Sequence, residues 1–127
     1  MAIHYISNSD EFKKLLAETM YVVVDFYADW CGPCKAIAPM YEQMAKASSV
    51  KDYLAFAKVN VDNNQQVAGE YGVNAMPTFM FFKEGKQVAV NGNVAIQGAD
   101  VASLKAATEK LDGLARAKQA AGVKIGE

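Results

Sequence analysis

The chain has two cysteines, Cys31 and Cys34, with only two residues between them. Thiols at this spacing can make and break a disulfide bond, supply two of the four ligands of a zinc ion, or form a small permanent cross-link. The only histidine, His4, lies far from the pair along the chain. Because a structural zinc site needs four ligands, one chain alone cannot build it from these residues. Reversible redox chemistry is therefore the leading interpretation.

Two other uses of the pair stay open. Two copies of the chain could share a zinc ion through two cysteine pairs. A permanent cross-link would close a loop of only four residues, which the loop-entropy relation credits with about 2 kcal/mol, against ~4.7 kcal/mol for a 100-residue loop. A chain of this length buries roughly two thirds of its surface without covalent help, so such a cross-link would add little.

The cysteine pair falls between a predicted strand and a predicted helix. Residues 21–27 are β-branched, aromatic and apolar at nearly every position, which is typical of a strand covered on both faces. The apolar spacing over residues 34 to about 47 predicts a helix that contains Pro39. A helix start stabilises an anion, so we predict that Cys31 is the nucleophile. Cys34, about one turn further in and more covered, is the predicted resolving thiol.

Strand and helix signals alternate along the rest of the chain. Periodicity predicts helices at about residues 9–18, at 64–71, and from 101 to a point before Gly122. Strands are predicted near the N-terminus and at residues 54–61, 78–82 and 87–90, the last two joined as an antiparallel hairpin. This order predicts an α/β sandwich with a mostly parallel sheet, helices on both faces and one antiparallel edge.

Length and composition limit the classes of function. A chain of 127 residues suits one domain, and 52% hydrophobic against 21% charged residues predicts a packed core. The formal charge of -1 offers no electrostatic attraction to nucleic acid or to an anionic membrane, so neither is an expected partner. No apolar run approaches ~20 residues and the N-terminus lacks a leader pattern, so we expect a cytoplasmic protein.

The residues around the pair resemble those of the thioredoxin family. The resemblance is carried by Trp30, Cys31, Gly32, Pro33 and Cys34, by the preceding strand, and by Met76, Pro77, Thr78 and Phe79; it covers about residues 5–112. It implies a thioredoxin fold, an α/β structure whose central mixed five-stranded sheet, mostly parallel with an antiparallel C-terminal hairpin, is flanked by four helices.

The same resemblance implies the activity and the partners. The protein would reduce disulfides in other proteins by dithiol-disulfide exchange through a redox-active Cys31–Cys34 pair, with no bound cofactor. Thioredoxin reductase, which uses FAD and NADPH, would re-reduce it, and we expect a monomer. A net oxidant or isomerase is a second redox interpretation, although such domains commonly have Gly-His between the cysteines. From another class, the alternative is a thioredoxin-fold binding module that acts by contact rather than by turnover.

Two charged residues are expected to assist the pair. Asp25 lies inside the covered strand, where burial raises the pKa of a carboxyl group. Burying a carboxyl group also costs free energy of folding, so we expect this one to have a function. In the resemblance its position is that of an acid that exchanges a proton with the resolving thiol, here Cys34, through water. Lys58 matches the family lysine near that acid. The alternatives are a hydrogen-bonded core aspartate and an exposed strand lysine.

The resemblance also implies a substrate-binding surface beside the pair. Pro77 matches a family proline whose peptide bond is cis and which faces the dithiol. Gly32 has no side chain that would block an approaching disulfide, and Pro33 suits the first turn of a helix. The predicted substrate-binding residues are Trp30, Gly32, Pro33, Ala75, Met76, Pro77, Gly98 and Ala99.

Three features depart from the family pattern. Tyr27 stands where many thioredoxins have tryptophan. Twelve residues separate Gly85 from Gly98, more than usual, and they include the tight-turn signal Asn91-Gly92. We therefore expect a lengthened or bulged hairpin region. We divide the chain into a thioredoxin domain, residues 1–114, and a helical C-terminal extension, residues 115–127, which we expect to be dispensable for the chemistry.

Overall fold

A computed structural model of the chain describes residues 2–127 as six strands and four helices. In chain order these are β1 (Ile3–Ile6), α1 (Ser9–Glu18), β2 (Tyr21–Tyr27), α2 (Gly32–Ser48), β3 (Leu54–Asn60), α3 (Gln65–Glu70), β4 (Thr78–Lys83), β5 (Lys86–Val88), β6 (Ala95–Gln97) and α4 (Val101–Ala120). The predicted α/β fold class with four helices is confirmed.

The strands form one mixed sheet in the order β1, β3, β2, β4, β5, and β6 pairs with β4 beside β5. β1 and β2 run parallel to β3, whereas β4 runs antiparallel to β2, and β5 and β6 run antiparallel to β4. The prediction of a mostly parallel, five-stranded sheet was therefore wrong in two details. The direction of β4 is reversed, and β6 is an additional short strand.

The connection before β4, residues 61–77, contains one short helix, α3. α3 has six residues, which span roughly 9 Å, whereas the seven-residue β3 is roughly 23 Å long. The chain leaves β3 at one end of the sheet and returns through this short helix to the same end, where Thr78 pairs with Phe26. A helix signal between two strands does not distinguish this return from a full crossover.

The helices cover both faces of the sheet. α1 and α3 pack on one face, through Phe12, Leu16 and Val67 against Val24 and its neighbours. α2 and α4 pack on the other, where Tyr41 and Leu104 join a cluster that includes Val23 and Phe56. Both faces of β2 are therefore buried, as its sequence predicts. A short loop joins the C-terminal end of β2 to the start of α2.

The extra residues before Gly98 form a small protruding hairpin. Val90 and Asn93 exchange backbone hydrogen bonds of 3.0 and 2.9 Å across Asn91-Gly92. Both turn residues have positive φ, 51° and 82°, as a two-residue hairpin turn requires. After β5, which pairs with β4, the chain makes this turn and then pairs with β4 a second time as β6. The expected lengthened hairpin region is thus present.

The C-terminal segment continues the last helix and then folds back onto the sheet. Ala115 is fully buried on α4, and Val123 packs against the core beyond the helix end. The backbone N–H of Gly126 donates to a carboxylate oxygen of Glu84 at 3.4 Å. None of the helices formed by residues 2–127 is long and apolar enough to cross a membrane.

Deleting residues 122–127 is expected to lower Tm by about 4 °C, corresponding to about 1 kcal/mol. The deletion removes the Val123 contact, the hydrogen bond from Gly126 to Glu84, and two backbone hydrogen bonds at the exposed end of α4. The rate at which Cys31 reacts with a small disulfide should stay unchanged. Thermal unfolding followed by circular dichroism and stopped-flow thiol kinetics measure the two quantities. A truncated protein with normal Tm but altered thiol kinetics would show that the segment acts on the cysteine pair.

Candidate functional site

Cys31 and Cys34 are joined by a disulfide bond at the N-terminus of α2. Cys31 is the N-cap residue, and its sulfur accepts a hydrogen bond from the backbone N–H of Cys34 at 3.1 Å. This donor and the helix dipole stabilise negative charge on the Cys31 sulfur once the bond is reduced. Gly32 and Pro33, in the first turn, are exposed and leave the approach open.

The two cysteines are equally buried, which differs from the expectation that Cys34 is the more covered. Each is 4% exposed. The side chains of Tyr27, Val61 and Met76 pack around the pair and shield Cys31 together with Cys34. Only a small part of each cysteine is therefore open to a partner, and that partner must fit the surrounding surface.

Met76, the residue before Pro77, lies against the disulfide. The Met76–Pro77 peptide bond is cis, as the family resemblance implies. The carbonyl oxygen of Met76 lies 3.6 Å from the sulfur of Cys31. The bonded sulfur carries no hydrogen, so this is a van der Waals contact that can become a hydrogen bond only in the dithiol. The hydroxyl of Thr78 donates to the Ala75 carbonyl and fixes the chain before the proline.

Gly98 ties the last loop to the same place. Its N–H donates to the carbonyl of Pro77 at 2.8 Å, and its φ of +86° is one that favours glycine. Ala99, next in the chain, is exposed. Gly98 and Ala99 are therefore fixed beside the cis proline despite the longer hairpin before them. The roles of Ala75, Met76, Gly98 and Ala99 in substrate binding stay predictions.

Trp30 is 68% exposed immediately before Cys31. Its indole N–H donates to the carboxylate of Asp62 at 2.9 Å. Sequence reasoning missed Asp62, although one signal pointed to it. Asp62 follows β3 and Trp30 follows β2, and the carboxyl ends of neighbouring parallel strands meet at one edge of the sheet. The hydrogen bond fixes the orientation of a large exposed ring next to the disulfide.

Asp25 is fully buried in the middle of the sheet. Neither carboxylate oxygen has a hydrogen-bond partner among the described residues. Burial raises the pKa of Asp25 to about 7, and the positive charge of Lys58 opposes part of that rise. Its side chain leaves β2 on the same face as Val23, the face that α2 covers. A carboxyl group with this pKa can gain or lose a proton near neutral pH.

Lys58 is the register partner of Asp25 in β3, so the two side chains leave the same face of the sheet. Its ammonium nitrogen lies 4.3 Å from the centroid of the Tyr27 ring. The only ion pair formed by residues 2–127 is that of Arg116 with Asp112. Lys58 is therefore near Asp25, as predicted. Its ammonium group contacts the ring of Tyr27, a contact that was not predicted from the sequence.

The described residues contain no group of three histidine, cysteine, aspartate or glutamate side chains that could hold a metal ion.

Comparisons with known proteins agree with this geometry. The thioredoxin family model matches residues 4–109. A thioredoxin of Neurospora crassa is 66% identical over 119 residues, which are 94% of each chain. The structure of Plasmodium falciparum thioredoxin aligns with a TM-score of 0.76 at 36% identity, over 84% of this chain and 97% of that one. A structure concerned with the thiol resolving mechanism in yeast mitochondrial 1-Cys peroxiredoxin via glutathione/thioredoxin systems aligns at 0.74 with 33% identity, over 85% and 94% of the two chains.

The matched region runs from β1 into α4 and includes the bonded cysteines, the buried acid and the cis proline. Thioredoxins act on disulfide substrates, and the intact Cys31–Cys34 pair retains the chemistry for that reaction. A module that acts by contact alone is for that reason not favoured. The fold, the bonded pair and the sequence matches together show that this dithiol-disulfide oxidoreductase belongs to the thioredoxin family.

Proposed function

We propose that this thioredoxin reduces disulfide bonds of other proteins in the cytoplasm as a monomer, and that a thioredoxin reductase using FAD and NADPH regenerates its dithiol. The observation that carries the proposal is the Cys31–Cys34 disulfide at the start of α2 beside exposed Trp30. A cytoplasmic location would favour electron flow towards the substrate, because cytosolic thiols are kept reduced. One chain supplies both cysteines and the buried acid, so the reaction needs no second copy.

The reaction proceeds as two thiol-disulfide exchanges. The Cys31 thiolate attacks one sulfur of the substrate disulfide, and the other substrate sulfur leaves as a thiolate. The Cys34 thiol then loses its proton and attacks the Cys31 sulfur, which releases the second substrate thiolate. Two electrons pass to the substrate, and the Cys31–Cys34 disulfide is left behind.

Asp25 is the group suited to take the Cys34 proton. It lies on the sheet face covered by the helix that begins with the cysteine pair, and its pKa of about 7 lets it accept a proton as carboxylate and return it as acid. Transfer through a water molecule requires no direct contact between the two side chains. During re-reduction the same carboxyl group can return the proton to Cys34.

A coupled assay tests the proposal. The protein is mixed with insulin, a thioredoxin reductase and NADPH, and absorbance at the NADPH wavelength is followed. We expect steady NADPH oxidation that requires all of the components. If chemically reduced protein transfers its electrons to insulin but the reductase never regenerates it, the reductase assignment is wrong. If the reduced protein leaves insulin intact, the proposed activity itself is wrong.

A further inference from the structure

The position of the Lys58 ammonium group is the feature that the proposed reaction leaves unexplained. Asp25 and Lys58 are register partners, and Tyr27 follows Asp25 by two residues, so all three side chains leave the same face of the sheet. The Lys58 nitrogen lies 4.3 Å from the centroid of the Tyr27 ring. Lys58 and Asp25 form no ion pair, and both carboxylate oxygens of Asp25 are without hydrogen-bond partners among the described residues.

Two attractions compete for this ammonium group. The buried carboxylate attracts it by charge, and the face of the Tyr27 ring attracts it through the ring quadrupole. Reaching Asp25 would remove the ammonium group from water, because Asp25 is fully buried. Tyr27 lies at the end of β2 and is only half-buried, so an ammonium group on its ring keeps part of its hydration. The flexible four-carbon stem of lysine allows either arrangement.

We propose that Tyr27 is a positioning residue that holds the Lys58 ammonium group on its ring and thereby leaves the carboxyl group of Asp25 without a paired cation. This role rests on the proposed use of Asp25 as the proton acceptor. A carboxylate in a direct ion pair would be a weaker base for the Cys34 proton, because an adjacent cation favours the charged form. With the ammonium group on the ring, Lys58 still attracts the Asp25 carboxylate from a distance, but the two side chains do not form a direct ion pair.

Few other titratable groups surround Asp25. Tyr41 of α2 faces it, and burial raises the pKa of that phenol well above its usual value. The Tyr41 hydroxyl lies within hydrogen-bond distance of the carbonyls of Val23 and Ala57, 3.0 and 2.8 Å away. The cysteine pair lies at the start of the same helix. Tyr5 of β1, the register partner of Lys58, also leaves this face and is 49% exposed. The buried residues that β4 and α4 contribute, among them Phe79 and Leu104, do not titrate. Lys58 is thus the cation whose position controls the acid.

The test is the titration of the Asp25 carboxyl carbon, followed by NMR in the oxidised protein. In Tyr27→Leu, which removes the ring, the midpoint should fall by about one unit, because the freed ammonium group moves towards the carboxylate. Tyr27→Phe keeps the ring face and should titrate like wild type. Lys58→Met should raise the midpoint, since it removes the attraction from the positive charge.

The double variant Tyr27→Leu with Lys58→Met separates this role from a structural one. The proposal requires that it titrate like Lys58→Met alone, because no ammonium group is left to redirect. An unchanged midpoint in Tyr27→Leu would overturn the proposal. So would an equal fall in the Lys58→Met background, since the ring would then act on Asp25 without the lysine. The titration involves no turnover, so its outcome is independent of whether the protein reduces insulin.

Discussion

A Cys31→Ser variant is expected to lose at least ~1000-fold of the wild-type rate of insulin reduction. The thiolate is the nucleophile in disulfide exchange, and a serine hydroxyl is not ionised at neutral pH. The N–H of Cys34, which lies 3.1 Å from the Cys31 sulfur, would have no sulfur anion to stabilise. NADPH oxidation in the coupled assay measures the loss. Substantial turnover by Cys31→Ser would show that another group attacks the substrate.

Cys34→Ser is the matched control, because it removes the other sulfur of the same bond. It should also fail to turn over, since the mixed disulfide is not resolved within the protein. Its Cys31 should nevertheless keep fast alkylation by iodoacetamide at neutral pH, whereas the Cys34 that remains in Cys31→Ser should react slowly. Equal alkylation rates in the two variants would contradict the assignment of Cys31 as the attacking thiol.

An Asp25→Ala variant is expected to be more stable than wild type at alkaline pH. The Asp25 pKa is about 7 in the folded protein and 3.8 is its ordinary value. Between pH 3.8 and about pH 7 the carboxyl group keeps its proton in the folded state and has lost it in the unfolded state. The free energy of unfolding of wild type therefore falls as the pH rises through this range. Above pH 7 the loss is complete and amounts to about 4 kcal/mol. The variant lacks this loss.

Urea unfolding at pH 5 and pH 8.5 isolates the titration of Asp25. The cavity that alanine leaves contributes equally at both pH values, so the variant's advantage over wild type should grow by a few kcal/mol between them. Asp25→Asn, which keeps the shape, should show the same growth. An advantage independent of pH would contradict the raised pKa.

In both variants the release of the mixed disulfide should slow about 100-fold at pH 7, which is the lower end of the usual range for the contribution of proton transfer to a rate.

Local patterns in the sequence were sufficient to predict much of the fold and the position of the cysteine pair. The covered strand β2 was predictable because nearly every residue in it is apolar, and the burial of Asp25 follows from the same pattern. The position of the cysteine pair between a strand and a helix start was predictable for a similar reason. The cis bond before Pro77 was implied only by the family resemblance, because the two-residue sequence itself favours trans.

Contacts between distant segments were not predictable in this way. Neighbouring parallel strands place Trp30 and Asp62 at one edge of the sheet, which sequence reasoning could have used. The hydrogen bond between them, and the placement of Lys58 on Tyr27, depend on the register between β2 and β3, which no short pattern specifies. The antiparallel direction of β4 was not predictable either, because a helix signal between two strands is compatible with both directions of the second strand. The predicted boundary after residue 114 remains a prediction; in the structure α4 continues through it to Ala120, with buried Ala115 on its core face.

A trapping experiment with Cys34→Ser tests directly which cysteine attacks the substrate and which one resolves the mixed disulfide. The reduced variant is mixed with a disulfide-containing protein, and the covalent product is digested without reductant and sequenced by mass spectrometry. We expect one mixed disulfide per chain, through Cys31, that wild type does not accumulate because Cys34 resolves it. If Cys34→Ser forms no adduct, or if wild type accumulates the adduct to the same extent, the assignment of Cys31 as attacking thiol and Cys34 as resolving thiol is wrong.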